Sequence, residues 1–264
     1  MLRIENLYKT FDAKSANEIH AINGVDLTIN DGDFITVIGS NGAGKSTLLN
    51  LLSGATIADS GKIYIDDEDV TKLPEYKRAK YIGRVFQDPK TGTCPDLSII
   101  ENMSLAKRRG KPRTLKLGMN KKEKEEYIES LKILNLGLES RPKTKTGLLS
   151  GGQRQALTLL MATLVKPKLL LLDEHTAALD PKTAATVLKT TEDIINKEGL
   201  TAFMVTHNMK DALRYGNRLI MMNKGKIVLD IEGKEKENLS VNDLLKMFEK
   251  VTGDEIVNDS VLLA

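Results

Sequence analysis

The sequence has little of what marks secreted or membrane-embedded proteins. Its 264 residues contain one cysteine, Cys94, which excludes an intramolecular disulfide and is typical of a reducing compartment. The longest apolar region, 156–172, is interrupted by Lys-Pro-Lys at 166–168, so no stretch reaches the ~20 residues that a membrane-spanning helix needs. The first residues are charged from the third position onward and lack a secretory pattern. We therefore expect a cytoplasmic protein.

A strong charge of one sign is also missing. The chain has 39 basic and 36 acidic residues, a formal net charge of +3, so no overall field favours nucleic acid and we expect no nucleic-acid partner. The hydrophobic content of 41% is sufficient for a substantial core. Internal repeats, low-complexity tracts and linkers are absent from the sequence. These features predict a single domain over residues 1–264.

The pattern of apolar residues predicts an α/β domain with a helical insertion, which we place at 88–165. Strands are expected at 2–7, 24–30, 33–38, 62–66, 81–86, 168–173 and 200–207. Helices are expected from 45 to Gly54, within 97–165, from Pro181 onward and near 241–249, with a hairpin turn at Lys224-Gly225.

A glycine-rich segment, GSNGAGKST at 39–47, follows a predicted strand and precedes a predicted helix. It matches the phosphate-loop pattern G-x-x-x-x-G-K-[ST]. Backbone N–H groups of such a loop cradle phosphates, Lys45 reaches the β- and γ-phosphates, and Ser46 offers its hydroxyl to Mg²⁺. The alternative is a glycine-rich turn without a ligand. The residues predicted to bind nucleotide here are Gly39, Ser40, Asn41, Gly42, Ala43, Gly44, Lys45, Ser46 and Thr47.

Two adjacent carboxylates, Asp173 and Glu174, end the apolar strand LLLLDE. Asp173 is placed to hold Mg²⁺ through its water shell. Glu174 can orient or deprotonate the water that attacks a γ-phosphate. The alternative for Glu174 is an exposed acid at a strand end, but an apolar strand rarely ends in two acids without a cation nearby.

The segment LLSGGQRQ, residues 148–155, places a serine and two glycines at the predicted start of a helix. Glycine lets backbone N–H groups approach a ligand, and the positive end of a helix dipole suits an anion. The residues that follow are apolar almost all round, which predicts a buried helix. The alternative for Gly151 and Gly152 is a tight loop-to-helix turn.

The phosphate loop, LSGGQ at 149–153 and LLLLDE at 169–174 occur in an order that resembles the ATP-binding-cassette (ABC) ATPases. Gln87 in VFQDP, AALD at 177–180 and His207 at the end of an apolar strand extend the resemblance over nearly the whole chain. It implies a P-loop NTPase fold: an ABC-type core with a mixed sheet, an antiparallel β-subdomain and an inserted helical subdomain.

The resemblance also implies that each nucleotide site is shared between two subunits. Ser150, Gly151, Gly152 and Gln153 would contact an ATP held mainly by the other subunit of a head-to-tail dimer, and Asp180 would lie across the dimer interface. Two ATP molecules would then be sandwiched between the subunits.

Further roles follow from the same resemblance. Gln87 would bind the Mg²⁺ and the attacking water and couple them to the helical insertion, and His207 would contact the γ-phosphate. Phe11 would stack on adenine; Tyr8 is the alternative, although strand alternation predicts that its side chain points inward. His175 stands where many family members have proline, and its role is either local packing or contact with nucleotide or interface.

Separate ATPase chains without membrane spans are commonest in bacterial uptake systems of this family. We therefore expect the ATPase subunit of an importer, a homodimer or paired with a second ATPase subunit, bound to the inner face of the membrane through permease subunits and served by a substrate-binding lipoprotein. The segments 17–29 and 173–180 are similar to those of aromatic amino-acid importers, which indicates amino-acid cargo. The alternatives are the ATPase of a bacterial exporter and the soluble ATPase of iron–sulfur cluster assembly.

Overall fold

The computed structural model describes residues 1–111 and 119–252, and the chain divides into two compact units. The first unit comprises Met1–Arg78 and the chain from Leu200 onward, and the second comprises Ala79–Gly199. The predicted helical insertion at 88–165 includes residues 112–118, which lie outside the described residues, as does the end of the predicted single domain.

The strands and helices follow the predicted order, although β1 and β2 are longer than expected. The strands are β1 (Leu2–Phe11), β2 (Ile19–Ile29), β3 (Phe34–Ile38), β4 (Ser60–Ile65), β5 (Glu68–Asp69), β6 (Ile82–Val85), β7 (Leu169–Asp173), β8 (Ala202–Val205), β9 (Arg218–Asn223) and β10 (Lys226–Glu232). The helices are α1 (Lys45–Ser53), α2 (Glu75–Arg78), α3 (Ile99–Lys107), α4 (Lys121–Leu131), α5 (Gly151–Thr163), α6 (Pro181–Glu198), α7 (Met209–Arg214), α8 (Gly233–Glu237) and α9 (Val241–Thr252). Within residues 1–111 and 119–252, no helix is both long enough and apolar enough to cross a bilayer.

The first unit contains an antiparallel sheet in the order β2-β1-β4-β5. The pairing of β1 with β2 and with β4 is interrupted by register shifts between Ile4 and Tyr8, and Asn6 has a left-handed φ of 46°. A bulge of this kind changes which face the following side chains occupy. The inward orientation predicted for Tyr8 is therefore wrong, because its side chain is exposed.

The first unit also contains a mixed sheet, in which β3 lies between β8 and β9 and is parallel to both, while β10 pairs antiparallel with β9. All five residues of β3 are buried, as expected for an apolar strand between parallel neighbours. Helices α7 and α9 pack against this sheet. Their core cluster comprises Ile38, Met209, Ala212, Leu219, Met221, Leu244 and Phe248.

In the second unit, β6 and β7 are parallel, with Ile82 opposite Leu169 and Val85 opposite Leu172. The helices beside them are fixed by side-chain caps. Capping boxes join Ser98 to Glu101, Asn120 to Glu123 and Ser150 to Gln153 at the starts of α3, α4 and α5. Their apolar faces form one core, comprising Ile99, Ile100, Met103, Tyr127, Leu131, Leu134, Leu138, Leu149, Ala156, Leu157 and Leu160.

Candidate nucleotide-binding and hydrolysis site

The predicted phosphate loop connects β3 to α1 in the first unit. A Cβ on Gly39 would lie 2.2 Å from the carbonyl oxygen of Met222. Gly44 caps α1 with a left-handed φ of 101°, and a Cβ there would lie 2.4 Å from the carbonyl oxygen of Ala21. Both positions therefore need glycine, because the backbone passes too close to its neighbours for any side chain.

Lys45, the first residue of α1, is buried against the loop that precedes it. Its Nζ donates hydrogen bonds to the carbonyl oxygens of Gly39 and Ser40, at 2.6 and 3.0 Å. Ser46, by contrast, is exposed at the first turn of the helix. The loop therefore combines a fixed ammonium group, an accessible hydroxyl and the positive end of a helix dipole, which together suit a phosphate group.

The turn between β9 and β10 supports the phosphate loop. The N–H of Gly225 donates to the carbonyl of Ala43 at 3.1 Å, and the carbonyl of Gly225 accepts from the N–H of Asn23 at 2.9 Å. The sequence predicted this hairpin turn without indicating that it touches the loop. Its contribution is a backbone connection that holds the loop against the first unit's strands.

His207 follows β8 and precedes α7. The N–H of Thr206 donates to Val37 of β3 at 3.1 Å, and the side chain of Asn208 caps α7 by accepting from the N–H of Asp211 at 3.1 Å. His207 thus lies between a strand end and a capped helix start, with a partly exposed side chain. The predicted contact with a γ-phosphate requires such a fixed position.

Both aromatic candidates for adenine stacking are exposed in β1. Phe11 is 39% exposed and Tyr8 is 36% exposed. The Lys9 ammonium lies 5.5 Å from the centre of the Phe11 ring. Both rings are therefore partly accessible, and Phe11 stays the predicted residue.

In the second unit, Gln87, Asp173 and Glu174 lie at the adjacent carboxyl ends of β6 and β7. Gln87 Nε2 donates to Glu174 Oε2 at 3.4 Å. Glu174 has a left-handed φ of 41°, an unusual backbone conformation that for a non-glycine residue often marks a functional position. The structure therefore brings together three of the predicted residues.

Two residues that the sequence motifs did not indicate make hydrogen bonds to Asp173 or next to Gln87. Arg84 Nη2 donates to Asp173 Oδ2 at 3.1 Å, and buried Gln155 donates from Nε2 to the Phe86 carbonyl at 2.9 Å, beside Gln87. The available signals were an arginine inside the apolar strand β6 and a glutamine within the apolar helix α5.

The LSGGQ segment begins α5, and part of its composition has a local structural reason. Ser150 Oγ accepts a hydrogen bond from the N–H of Gln153 at 3.3 Å, and Gln153 Oε1 accepts one from the N–H of Ser150 at 3.3 Å. A Cβ on Gly152 would lie 2.1 Å from Thr183 Cγ2, whereas Gly151 is exposed. Close packing against α6 thus accounts for Gly152, and both the turn interpretation and the contact with a second subunit's ATP stay predictions.

Asp180 and His175 lie on the segment that joins β7 to α6. Asp180 is exposed and caps α6 by accepting from the N–H of Thr183 at 3.1 Å, and hydrogen bonding with Thr183 lowers the pKa of its carboxyl. His175 is only 2% exposed, and burial lowers the pKa of its imidazole to about 4. His175 therefore packs in the second unit as a neutral side chain.

The donor chemistry of the predicted metal ligands fits Mg²⁺. Ser46, Gln87 and Asp173 offer a hydroxyl, an amide and a carboxylate oxygen, the hard donors that this ion prefers. Within the described part of the chain, no group of three His, Cys, Asp or Glu side chains could hold a metal ion alone. A magnesium ion bound by any of these donors would therefore take its remaining ligands from phosphate oxygens and water.

A glycine-rich phosphate loop after a buried strand, together with paired acids at the end of another, defines a P-loop NTPase. The family model described as ABC transporter matches residues 22–177. The tyrosine transport ATP-binding protein of Clostridioides difficile is 48% identical over 250 residues, which cover 94% of this chain and 99% of that protein. The chain belongs to the ABC transporter family, and it is an ATPase subunit.

More distant relatives and solved structures agree with this assignment. The spermidine/putrescine import ATP-binding protein PotA of Haemophilus influenzae is 36% identical over 82% of this chain, which spans 55% of that protein's length. A dimeric ATP-binding cassette bound to ADP and Pi has a TM-score of 0.75 at 29% identity, covering 88% of this chain and 98% of that one. Clostridium perfringens cbiO1, part of an ABC transporter complex, has a TM-score of 0.75 at 25% identity, covering 96% and 95%. The predicted fold class is confirmed.

Proposed function

We propose that this chain binds Mg–ATP between two subunits and uses its hydrolysis to drive import of an amino acid through separate membrane subunits. We infer an amino-acid cargo from the 48% identity, over nearly the full length of both chains, to a protein named for tyrosine transport. The relatives named for spermidine and putrescine import are less similar, and this chain spans only about half of their length: the Haemophilus influenzae protein is 36% identical over 55% of its length. Aromatic amino acids are accordingly the first cargo to test.

The proposed hydrolysis assigns one task to each group of residues. Lys45 and the N–H groups of 39–47 hold the phosphates, and Glu174 accepts a proton from the attacking water. When bound, Mg²⁺ neutralises charge that develops on the β- and γ-phosphate oxygens. Gln87 holds Glu174 Oε2 through the 3.4 Å hydrogen bond, which limits the orientations of the base.

The proposed metal ligands are Ser46, Gln87 and Asp173, whose oxygen donors suit the ion. His207 is proposed to contact the γ-phosphate. These assignments rest on the residue types, on the motif order and on the local positions described above.

The proposed partners follow from the family pattern. We assign the chain to a head-to-tail dimer beneath two permease subunits on the inner face of the membrane, with a substrate-binding lipoprotein outside. The exposed positions of Ser150 and Asp180, at the starts of α5 and α6, leave both accessible to a second subunit.

Purification of the tagged chain from its native membranes tests this proposal. We expect integral membrane subunits to accompany it, and we expect the reconstituted complex with its binding protein to hydrolyse ATP faster with tyrosine than with spermidine. Recovery from the soluble fraction with iron–sulfur assembly proteins would contradict the transport assignment. The same complex carrying Glu174→Gln is the matched control, because it should assemble normally without cargo-stimulated hydrolysis.

A further inference from the structure

Arg84 places a positive charge directly on the predicted metal ligand. In the parallel register of β6 and β7, Arg84 lies opposite Leu171, two residues before Asp173. Its Nη2 donates to Asp173 Oδ2 at 3.1 Å, and the two side chains are only 13% and 16% exposed. The pair is therefore largely withdrawn from water, where a charge-assisted hydrogen bond is stronger than at the surface.

The guanidinium group is also fixed from a second side. Its Cζ lies 4.7 Å from the centre of the Phe86 ring, within the range of a cation–π contact. The carbonyl of Phe86 accepts a hydrogen bond from Gln155, which has no exposed surface. Strand pairing, the aromatic ring and helix α5 thus all restrict the position of Arg84 beside Asp173.

The negative charge of Asp173 needs a compensating positive charge nearby. Asp173 and Glu174 are adjacent carboxylates, and a mostly buried carboxylate without a cation is costly. Arg84 compensates the charge of Asp173 without the help of a metal ion. A metal ion without nucleotide must compete with Arg84 for the carboxylate of Asp173. A metal ion that arrives bound to ATP already has phosphate oxygens as further ligands.

We propose that Arg84 is a positioning residue that makes metal binding at Asp173 depend on bound nucleotide. This inference rests on the proposed role of Asp173 as a magnesium ligand. Arg84 would hold the carboxylate in a fixed orientation and satisfy its charge until Mg–ATP supplies a better set of contacts.

The test measures Mn²⁺ affinity of the nucleotide-free protein by electron paramagnetic resonance. We expect Arg84→Met to bind Mn²⁺ about 10-fold or more tightly than wild type, in the range by which outer partners of metal ligands change affinity. Arg84→Lys retains the charge and should stay near wild type. Equal Mn²⁺ affinity of wild type and Arg84→Met would overturn the proposal.

A second variant distinguishes the loss of the charge from a folding defect. Arg84→Gln keeps a hydrogen-bond donor without the charge, and it should gain Mn²⁺ affinity as Arg84→Met does. Adding Asp173→Asn to either variant should remove the gain; a gain that survives this change lies elsewhere and contradicts the proposal. Thermal unfolding followed by circular dichroism verifies that each variant is folded.

Asp173→Asn in the otherwise wild-type chain separates this inference from the proposed function. If Mn²⁺ binding in the presence of ATP is unchanged by Asp173→Asn, the proposed metal role of Asp173 fails. If that binding is lost, while the nucleotide-free Arg84 variants behave like wild type, only the role of Arg84 fails.

Discussion

The Nε2 atom of His175 lies 3.1 Å from Oγ1 of Thr191, and both side chains are buried. Thr191 donates its own hydroxyl hydrogen to the Val187 carbonyl at 2.8 Å, so it accepts the hydrogen bond from His175. His175 is therefore the neutral tautomer with its proton on Nε2. This bond ties the residue directly after Glu174 to the middle of α6.

The buried imidazole should make the fold sensitive to acid. Its pKa is about 4 in the folded chain against 6.5 for an ordinary histidine, so between these values the unfolded chain binds a proton that the folded chain does not. The stability that depends on a neutral His175 is complete above pH 6.5 and is lost progressively as the pH falls from 6.5 to about 4. At about 1.4 kcal/mol per pH unit, the loss at pH 5 is about 2 kcal/mol.

Urea unfolding at pH 7.5 and pH 5 measures this loss. His175→Gln is the matched control, because glutamine can donate to Thr191 without titrating. We expect the free energy of unfolding to fall more steeply with acid for wild type than for the variant. Parallel pH dependences would show that His175 does not titrate as its burial implies.

Glu174→Gln should separate nucleotide binding from hydrolysis. The amide keeps the shape of the side chain but cannot accept a proton from water, so hydrolysis should slow by ~10²-fold or more. ATP binding should be retained, and ATP should then hold two subunits together. The measurements are steady-state phosphate release and ATP-dependent dimer formation on a sizing column.

Glu198→Gln, an exposed change at the end of α6, is the control for a general effect of removing a carboxylate. It should leave hydrolysis unchanged. Near-normal hydrolysis by Glu174→Gln would remove Glu174 from the proposed mechanism.

The parts of the site that the sequence predicted are those whose chemistry lies within a short segment. The loop 39–47 carries its glycines, lysine and hydroxyls within nine positions, and Asp173 and Glu174 are adjacent at a strand end. Such segments keep their local geometry across a fold, because backbone conformation and helix position follow from a few neighbouring residues.

The contacts that the sequence did not predict join residues far apart in the chain. Arg84 meets Asp173 only through the parallel pairing of β6 and β7, and Gln155 meets the Phe86 carbonyl only through the packing of α5. Tyr8 shows a different limit. A bulge at Asn6 in β1 shifts the alternation of side chains, and the apolar pattern of the strand did not predict this bulge.

Phe11 and Tyr8 make competing predictions for the adenine contact. Phe11→Ala should weaken ATP binding, since loss of one stacking contact costs ~1–3 kcal/mol in comparable base–aromatic contacts. Tyr8→Ala, which removes a similarly exposed ring from the same strand, is the matched control and should have little effect. Titration with a fluorescent ATP analogue measures both affinities; a loss confined to Tyr8→Ala would transfer the stacking role to Tyr8.

Because the start of α5 is exposed, Ser150 is accessible to a second subunit. We predict that Ser150 acts on the ATP whose phosphates are held by the partner subunit's Lys45. A two-fold dimer has two equivalent sites, so each homodimer carrying Lys45→Ala or Ser150→Arg should lose both. In a mixed dimer with one lesion per subunit, both lesions fall in one site and the other site is intact. Hydrolysis or ATP-dependent dimer trapping should then return, whereas a lysine and serine serving the same subunit's ATP would leave both sites damaged. Absence of both activities in a verified mixed dimer, beside an active wild-type dimer, would argue for the turn interpretation of LSGGQ.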